Sequence, residues 1–173
     1  MSRYIFLAVI LLTFIAAGAY VYLGGTREPQ VTLETTATPL YLAGQLFHGS
    51  VRGEAFGQLF RQAKEAQSRL RGDLANLYLN DPETAHDTIS AFIGLAVADT
   101  TQQLPSGFRY RVVSAGQRVL AARITGVSFL LAPNKLYPAA LEAAQKQHLT
   151  QRGDFYLERF GANDASEVWI GVK

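Results

Sequence analysis

The run Phe155-Tyr156-Leu157-Glu158-Arg159-Phe160 places a carboxylate between two aromatic rings at alternate positions. In a strand, alternate side chains share a face. Tyr156, Glu158 and Phe160 therefore line one side, while Phe155 and Leu157 take the other, the side expected to meet the helices. A carboxylate flanked by rings suits an apolar cation or an amphipathic small molecule. Partial desolvation would raise its pKa and make Glu158 a general base, the one catalytic role the sequence offers. The alternative is an ordinary strand glutamate paired with Arg109, Arg111 or Arg123. Trp169, the only tryptophan, has the opposite parity to Val168 and Ile170. It either joins Tyr156 and Phe160 in a groove or packs as core, with Phe92 as its counterpart earlier in the chain. Tyr110 and Tyr78 are further groove-wall candidates whose facing alternation does not settle. His48 stands before a helix, where it either meets an anionic ligand and titrates near neutrality or satisfies a turn.

Other chemistries lack their residues. The chain has no cysteine, which removes disulfides, thiolate nucleophiles and Cys-ligated metals. His86 and His148 have no metal-ligand spacing, so neither a metal nor any other cofactor is expected. The glycines at 44, 49, 53 and 57 lack the Lys-Ser/Thr of a phosphate loop, and no serine sits in a nucleophile elbow. The 16 basic residues are scattered among 14 acidic ones, with no basic run to suggest nucleic acid.

Position in the chain matters next. Residues 4–25 contain no charge and are long enough to cross about 30 Å of hydrocarbon. The expected organisation is a transmembrane anchor over residues 1–25, a linker over 26–30 and one ligand-binding domain over 31–173. The Lys/Arg balance leans toward a cytoplasmic N-terminus with the domain on the non-cytoplasmic side. Ala17-Gly18-Ala19 also fits a signal-peptidase site, in which case the domain is secreted or periplasmic.

The domain repeats itself. Residues 54–70 carry Phe56, Leu59, Phe60, Ala63, Ala66 and Leu70 at helical spacing, and Gly72 is expected to stop that helix. Strands are predicted at 39–51, 74–80 and 88–98. The pattern then recurs as a strand at 117–125, a helix near 134–149 and strands at 154–160 and 166–172. Pro138 requires the first turn of the second helix. Lead-in strands at 31–36 and 108–113 precede the two units. Arg-Gly-Asp, Asn-Asp and Ile-Gly each occur in both units, at offsets of 81, 83 and 77 residues. The repeat is therefore one of elements, and Arg-Gly-Asp marks a structural step in place of an adhesive signal. The fold class is α+β: duplicated strand-helix-strand-strand units in one antiparallel sheet, two helices on one face, and a transmembrane helix before them.

This duplication, with "FHGSVRGEAFGQLF" (47–60), "LYLNDP" (77–82), "LYPAALE" (136–142) and "GDFYLERF" (153–160), resembles the GyrI-like family of AraC-type effector-binding domains. The resemblance implies a ligand groove between pseudo-symmetric halves, on the sheet face opposite the helices, with an acidic strand residue at the position of Glu158 that meets cationic ligands. It also allows haem, although no residue stands out as an axial ligand. An anchor followed by this domain is similar to the membrane-anchored endoplasmic-reticulum autophagy receptor of the same fold. That receptor's disordered tail has no counterpart before Lys173, so only the architecture carries over. Three functions follow: a membrane-anchored, non-enzymatic binder of a small amphipathic or cationic molecule, a membrane-tethered scaffold for a protein partner, and a small-molecule hydrolase using Glu158 with Tyr156 or Trp169.

Overall fold

The computed structural model describes residues 2–82 and 88–173, so His86 lies outside the described residues. An apolar helix, α1 (Ser2–Tyr22), precedes strands β1 (Gln30–Thr35) and β2 (Leu40–Gly49). Then come α2 (Glu54–Leu70), β3 (Asp73–Tyr78), β4 (Ile89–Val97) and β5 (Arg109–Val113). The second half comprises β6 (Arg118–Ile124), α3 (Pro133–Lys146), β7 (Gln151–Phe160) and β8 (Ser166–Val172). All eight strands form one antiparallel sheet in the order β1-β6-β8-β7-β3-β4-β2-β5. The fold is the α+β duplication that the sequence predicts: β2-α2-β3-β4 and β6-α3-β7-β8 meet at the central pair β3/β7. The lead-in strands are exchanged between the halves, since β1 pairs with β6 and β5 with β2.

Both helices lie on one face of the sheet, each held by a small-residue stripe. Ala63, Ala66 and Leu70 of α2 are buried, as are Leu136, Tyr137, Ala140 and Ala144 of α3. Helix α2 packs on β4, β2 and β3, and α3 packs on β6, β8 and β1. The left-handed residue that ends α2 is Arg71, at φ 48°, whose N–H donates to the Gln67 carbonyl; Gly72 comes after it. Gly153, the repeat's counterpart of Gly72, does not close the second helix but lies inside β7 at φ +77°, where the β7/β8 register shifts. The second Arg-Gly-Asp thus marks a bulge in a strand. Pro138 falls beyond the first turn of α3, Pro133 being the proline at its start.

The face opposite the helices is filled. Phe92, Leu77, Leu157, Trp169 and Ala121 stand directly opposite one another across five neighbouring strands, and all are buried although no helix covers them. Connection lengths explain this. β1 and β2 are six strand spacings apart, about 29 Å if the sheet were flat. Only residues 36–39 join them, a reach of about 17 Å. The same mismatch applies to β5 and β6, joined by residues 114–117. The sheet must therefore curl until its edges approach. The two connections meet: the Thr36 N–H donates to the Gln117 carbonyl (2.9 Å), and the Gly116 N–H donates to the Thr36 carbonyl (2.8 Å). The concave side becomes an apolar core, with a recess of about 300 Å³ at its β5 end lined by Leu77, Val113, Arg152 and Phe155.

The curl depends on two facing glycines, Gly44 and Gly94. A Cβ on Gly94 would lie 2.1 Å from the Ala43 carbonyl oxygen, and one on Gly44 2.2 Å from that of Ile93. Backbone cannot retreat as a side chain can, so Gly94→Ala is expected to cost about 2 kcal/mol. Urea denaturation measures this, and an unchanged midpoint would contradict the close approach.

Candidate functional site

Helices α2 and α3 cover the outer strands of their own halves and leave a gap above the β3/β7 pair. Glu158 opens into this gap from β7, on the same face as α2 and α3. The parity expected for Tyr156, Glu158 and Phe160 holds, but their face is the helix side. Phe155 and Leu157 belong to the concave core.

Glu158 is 8 % exposed. Its Oε2 accepts from Asn76 Nδ2 at 3.1 Å and from Tyr78 Oη at 2.9 Å, and the buried hydroxyl of Tyr137 on α3 also favours its charged form. Asn76 is directly opposite Glu158 across the central pair, as Tyr78 is opposite Tyr156. A two-fold axis through Leu77 and Leu157 therefore makes Tyr78 the first unit's equivalent of Glu158, and the equivalents touch. Among the described residues, all hydrogen-bond partners of this carboxylate are neutral. Burial pushes its pKa above the ordinary carboxylate range, and these three groups only partly offset that. Burial, with the adjacent carboxylate, pushes the Tyr78 phenol far above its usual value, so it remains a donor.

The rest of the site is aromatic. Phe56, Gly57, Phe60 and Arg61 of α2, Phe129 from the loop before α3, and Phe160 of β7 line a cavity of about 420 Å³ with Glu158, Asn76 and Tyr78. Phe129 meets Phe160 edge-on, their centroids 6.4 Å apart. A neighbouring cavity of about 600 Å³ shares Phe60, Arg61, Phe129 and Phe160 and runs on to residues 161–166. Together they form one groove, open at its far end, with the carboxylate at its floor and Arg61 on its wall. A permanent cation bearing aromatic or alkyl arms would be complementary to this lining, its charge against Glu158 and its arms against the phenylalanines.

Of the residues singled out in the sequence, Glu158 and Phe160 line this groove. Tyr156 shares their face but is buried in the helix-side core, its hydroxyl 3.3 Å from Gln151 Oε1. Trp169 packs with Phe155 and Leu157 in the concave core, so it does not join them. His48 is still inside β2, exposed on the side away from the groove, and its Nδ1 is 2.8 Å from the hydroxyl of Ser90. Tyr110 is on the helix side, but it packs at the sheet edge, four strands from β7, and donates to the Gln102 carbonyl at 2.6 Å.

Asn76, Tyr137, Phe56, Phe60 and Phe129 were not singled out as site residues. For Asn76 a signal existed: it has the parity of Tyr78, itself a groove-wall candidate. The others depend on how the helices sit.

The pair Arg123 and Arg159 serves a different carboxylate. Buried Glu167 pairs with Arg123 Nε at 2.6 Å and Arg159 Nη2 at 2.7 Å, and Arg123 also pairs with Glu34. This chain of ions lies on the concave face, opposite the side that Glu158 faces.

Tyr78→Phe removes a donor that favours the charged form of Glu158. The carboxyl pKa should climb further, and stability should fall by about 1 kcal/mol. Carbon-detected NMR titration of the glutamate carboxyl reads the first effect, and a pKa unmoved by the substitution would contradict the assigned bond.

No protein-family model and no curated protein matches the sequence. Solved structures do. An integron cassette protein from the mobile metagenome of Vibrio cholerae superposes with a TM-score of 0.61 at 12% identity, over 85% of this chain and 97% of its own. The EcmrR C-terminal domain gives 0.59 at 12% identity, over 84% and 98%. SAV2435, solved bound to tetraphenylphosphonium, gives 0.56 at 12% identity, over 85% and 94%. The fold is that of the GyrI-like effector-binding domains. At these identities the likeness defines architecture, and the chemistry must come from this chain's own residues.

Proposed function

We propose that the chain binds a small amphipathic cation in the groove between α2 and α3, with Glu158 as the counter-charge, and that α1 holds this domain at a membrane. The observation that carries this reading is a buried carboxylate with neutral partners beneath Phe56, Phe60, Phe129 and Phe160. Desolvating a carboxylate is costly unless a partner arrives, and a lipophilic cation supplies the missing charge while covering the rings. SAV2435, of the same fold, is bound to such a cation. Helix α1 supports the anchor: Arg3–Tyr22 has a mean hydropathy of 2.4 and none of it is buried against the domain. Thermal denaturation of the full chain with tetraphenylphosphonium and a series of alkylammonium ions tests the proposal. A rise in melting temperature is expected by mass action; none with any of them would remove it.

A second reading is favoured by one detail, the presence of two tyrosine hydroxyls beside a carboxyl of raised pKa. Such a group can take a proton from water attacking an electrophilic substrate. The partners are Tyr78 and Tyr137, replacing the Tyr156 or Trp169 expected from the sequence. Turnover of an electrophilic probe that disappears in Glu158→Gln is the required result.

A further inference from the structure

The end of α1 is fastened to the loop that forms one wall of the groove. The Ser128 N–H donates to the Leu23 carbonyl at 3.1 Å. Gly24 lies so close that a Cβ there would be 2.3 Å from the Gly126 carbonyl oxygen. Arg27 Nη1 donates to the Thr125 carbonyl at 2.9 Å, and Lys135 Nζ donates to the Arg27 carbonyl at 2.7 Å. Residues 24–29, which include most of the linker expected over 26–30, are therefore a docked turn running into β1. The next loop residues carry the exposed apolar pair Phe129 and Leu130, at 49% and 69% exposure. Phe129 also lines both cavities of the groove.

Geometry connects these facts. Twenty helical residues, the length of the apolar span, rise about 30 Å, the thickness of a hydrocarbon core. Leu23 then falls at the boundary with the headgroups, a layer roughly 5–7 Å deep on each side. Phe129 and Leu130 are one and two residues from Ser128, each residue reaching about 3.5 Å, so both lie within that layer's reach. Arg27 and Lys135 stand beside them at headgroup level. We propose that loop 127–131 seats on the bilayer surface, with Leu130 inserted, and forms the membrane-side lip of the groove. The occupant of this apolar patch is lipid, and one wall of the cation site stands at the boundary where lipophilic cations concentrate. The proposal rests on α1 spanning the membrane, but not on Glu158 binding a cation.

The chain has no cysteine, so single nitroxide labels can be placed without background. Leu130→Cys, Tyr20→Cys and Val112→Cys are labelled in the full chain, reconstituted in phosphatidylcholine–phosphatidylglycerol vesicles. Collisions with oxygen and with a water-soluble nickel complex give the depth of each. Val112, 52% exposed on β5, is the reference for an exposed apolar residue outside the loop. Labels at Leu130 and Tyr20 that are both shielded from nickel, with Val112 accessible, are the expected result. A Leu130 label as accessible as Val112, with Tyr20 shielded, overturns the lip while leaving the anchor. Nickel access at both Leu130 and Tyr20 overturns the anchor and the lip together, and cation binding is judged separately by titration.

Discussion

Replacing Glu158 with glutamine is expected to weaken binding of a lipophilic cation about 100-fold, close to 3 kcal/mol, while leaving the fold intact. The two effects separate because of where the hydrogen bonds go. Asn76 and Tyr78 both donate to Oε2, so one amide oxygen can accept both and the change removes little besides the charge. In a low-dielectric groove a charge facing a permanent cation has no substitute. The phenylalanines remain, each ring worth about 0.5–2 kcal/mol against a cation, so residual binding should persist. Isothermal titration with the full chain in nanodiscs measures the difference. A glutamine variant with wild-type affinity would mean that the rings alone hold the ligand.

Cation affinity should rise by up to about tenfold per pH unit across a window that ends at the raised pKa of Glu158, above the ordinary carboxylate range. The sign follows from burial, which raises the Glu158 pKa in the folded, ligand-free protein. Below that raised value the carboxyl is protonated, and a cation must displace the proton to bind. Above it the charge is already present and affinity levels off. Binding within the window thus releases a proton, seen as a buffer-dependent heat of titration. Stability moves the other way. The raised pKa means that the neutral form is preferred on folding, a contribution fully present below the unfolded value of about 4.3 and lost as pH rises through the folded one. Wild type should therefore lose ground to Glu158→Gln with increasing pH. A pH-independent affinity in wild type would place Glu158 outside the binding event.

Elements were legible in the sequence because periodicity and repeated phrases are local. The strand-helix-strand-strand order, both lead-in strands and the common face of Tyr156, Glu158 and Phe160 are all read from spacing. Which face the helices cover is not local. Leu157 and Val168 are equally apolar, and only the curl of the sheet, forced by two four-residue connections, turns the Leu157 side into an apolar core. That is why Trp169 and Phe92 pack away from Glu158, and why the groove lies between the helices. His48 shows the same limit on a smaller scale: β2 runs to Gly49, so a histidine expected beside a helix is still paired with Ser90 in the sheet. Tyr137 and Phe129 reach Glu158 and Phe160 from sequence-distant segments, one a helix face that reads as core and the other a loop without pattern. The equivalence of Tyr78 and Glu158 was not legible either, because it rests on the β3/β7 register, an offset of 80 residues that none of the repeated phrases carries.

The most direct measurement is a paired titration of the full chain with tetraphenylphosphonium and tetraphenylborate, ions of closely similar shape and opposite charge, in wild type and Glu158→Gln. The expected result is tight binding of the phosphonium by wild type alone, with both proteins indifferent to the borate. Equal affinity for the two ions, or a phosphonium affinity untouched by the substitution, would contradict a groove built around a buried negative charge.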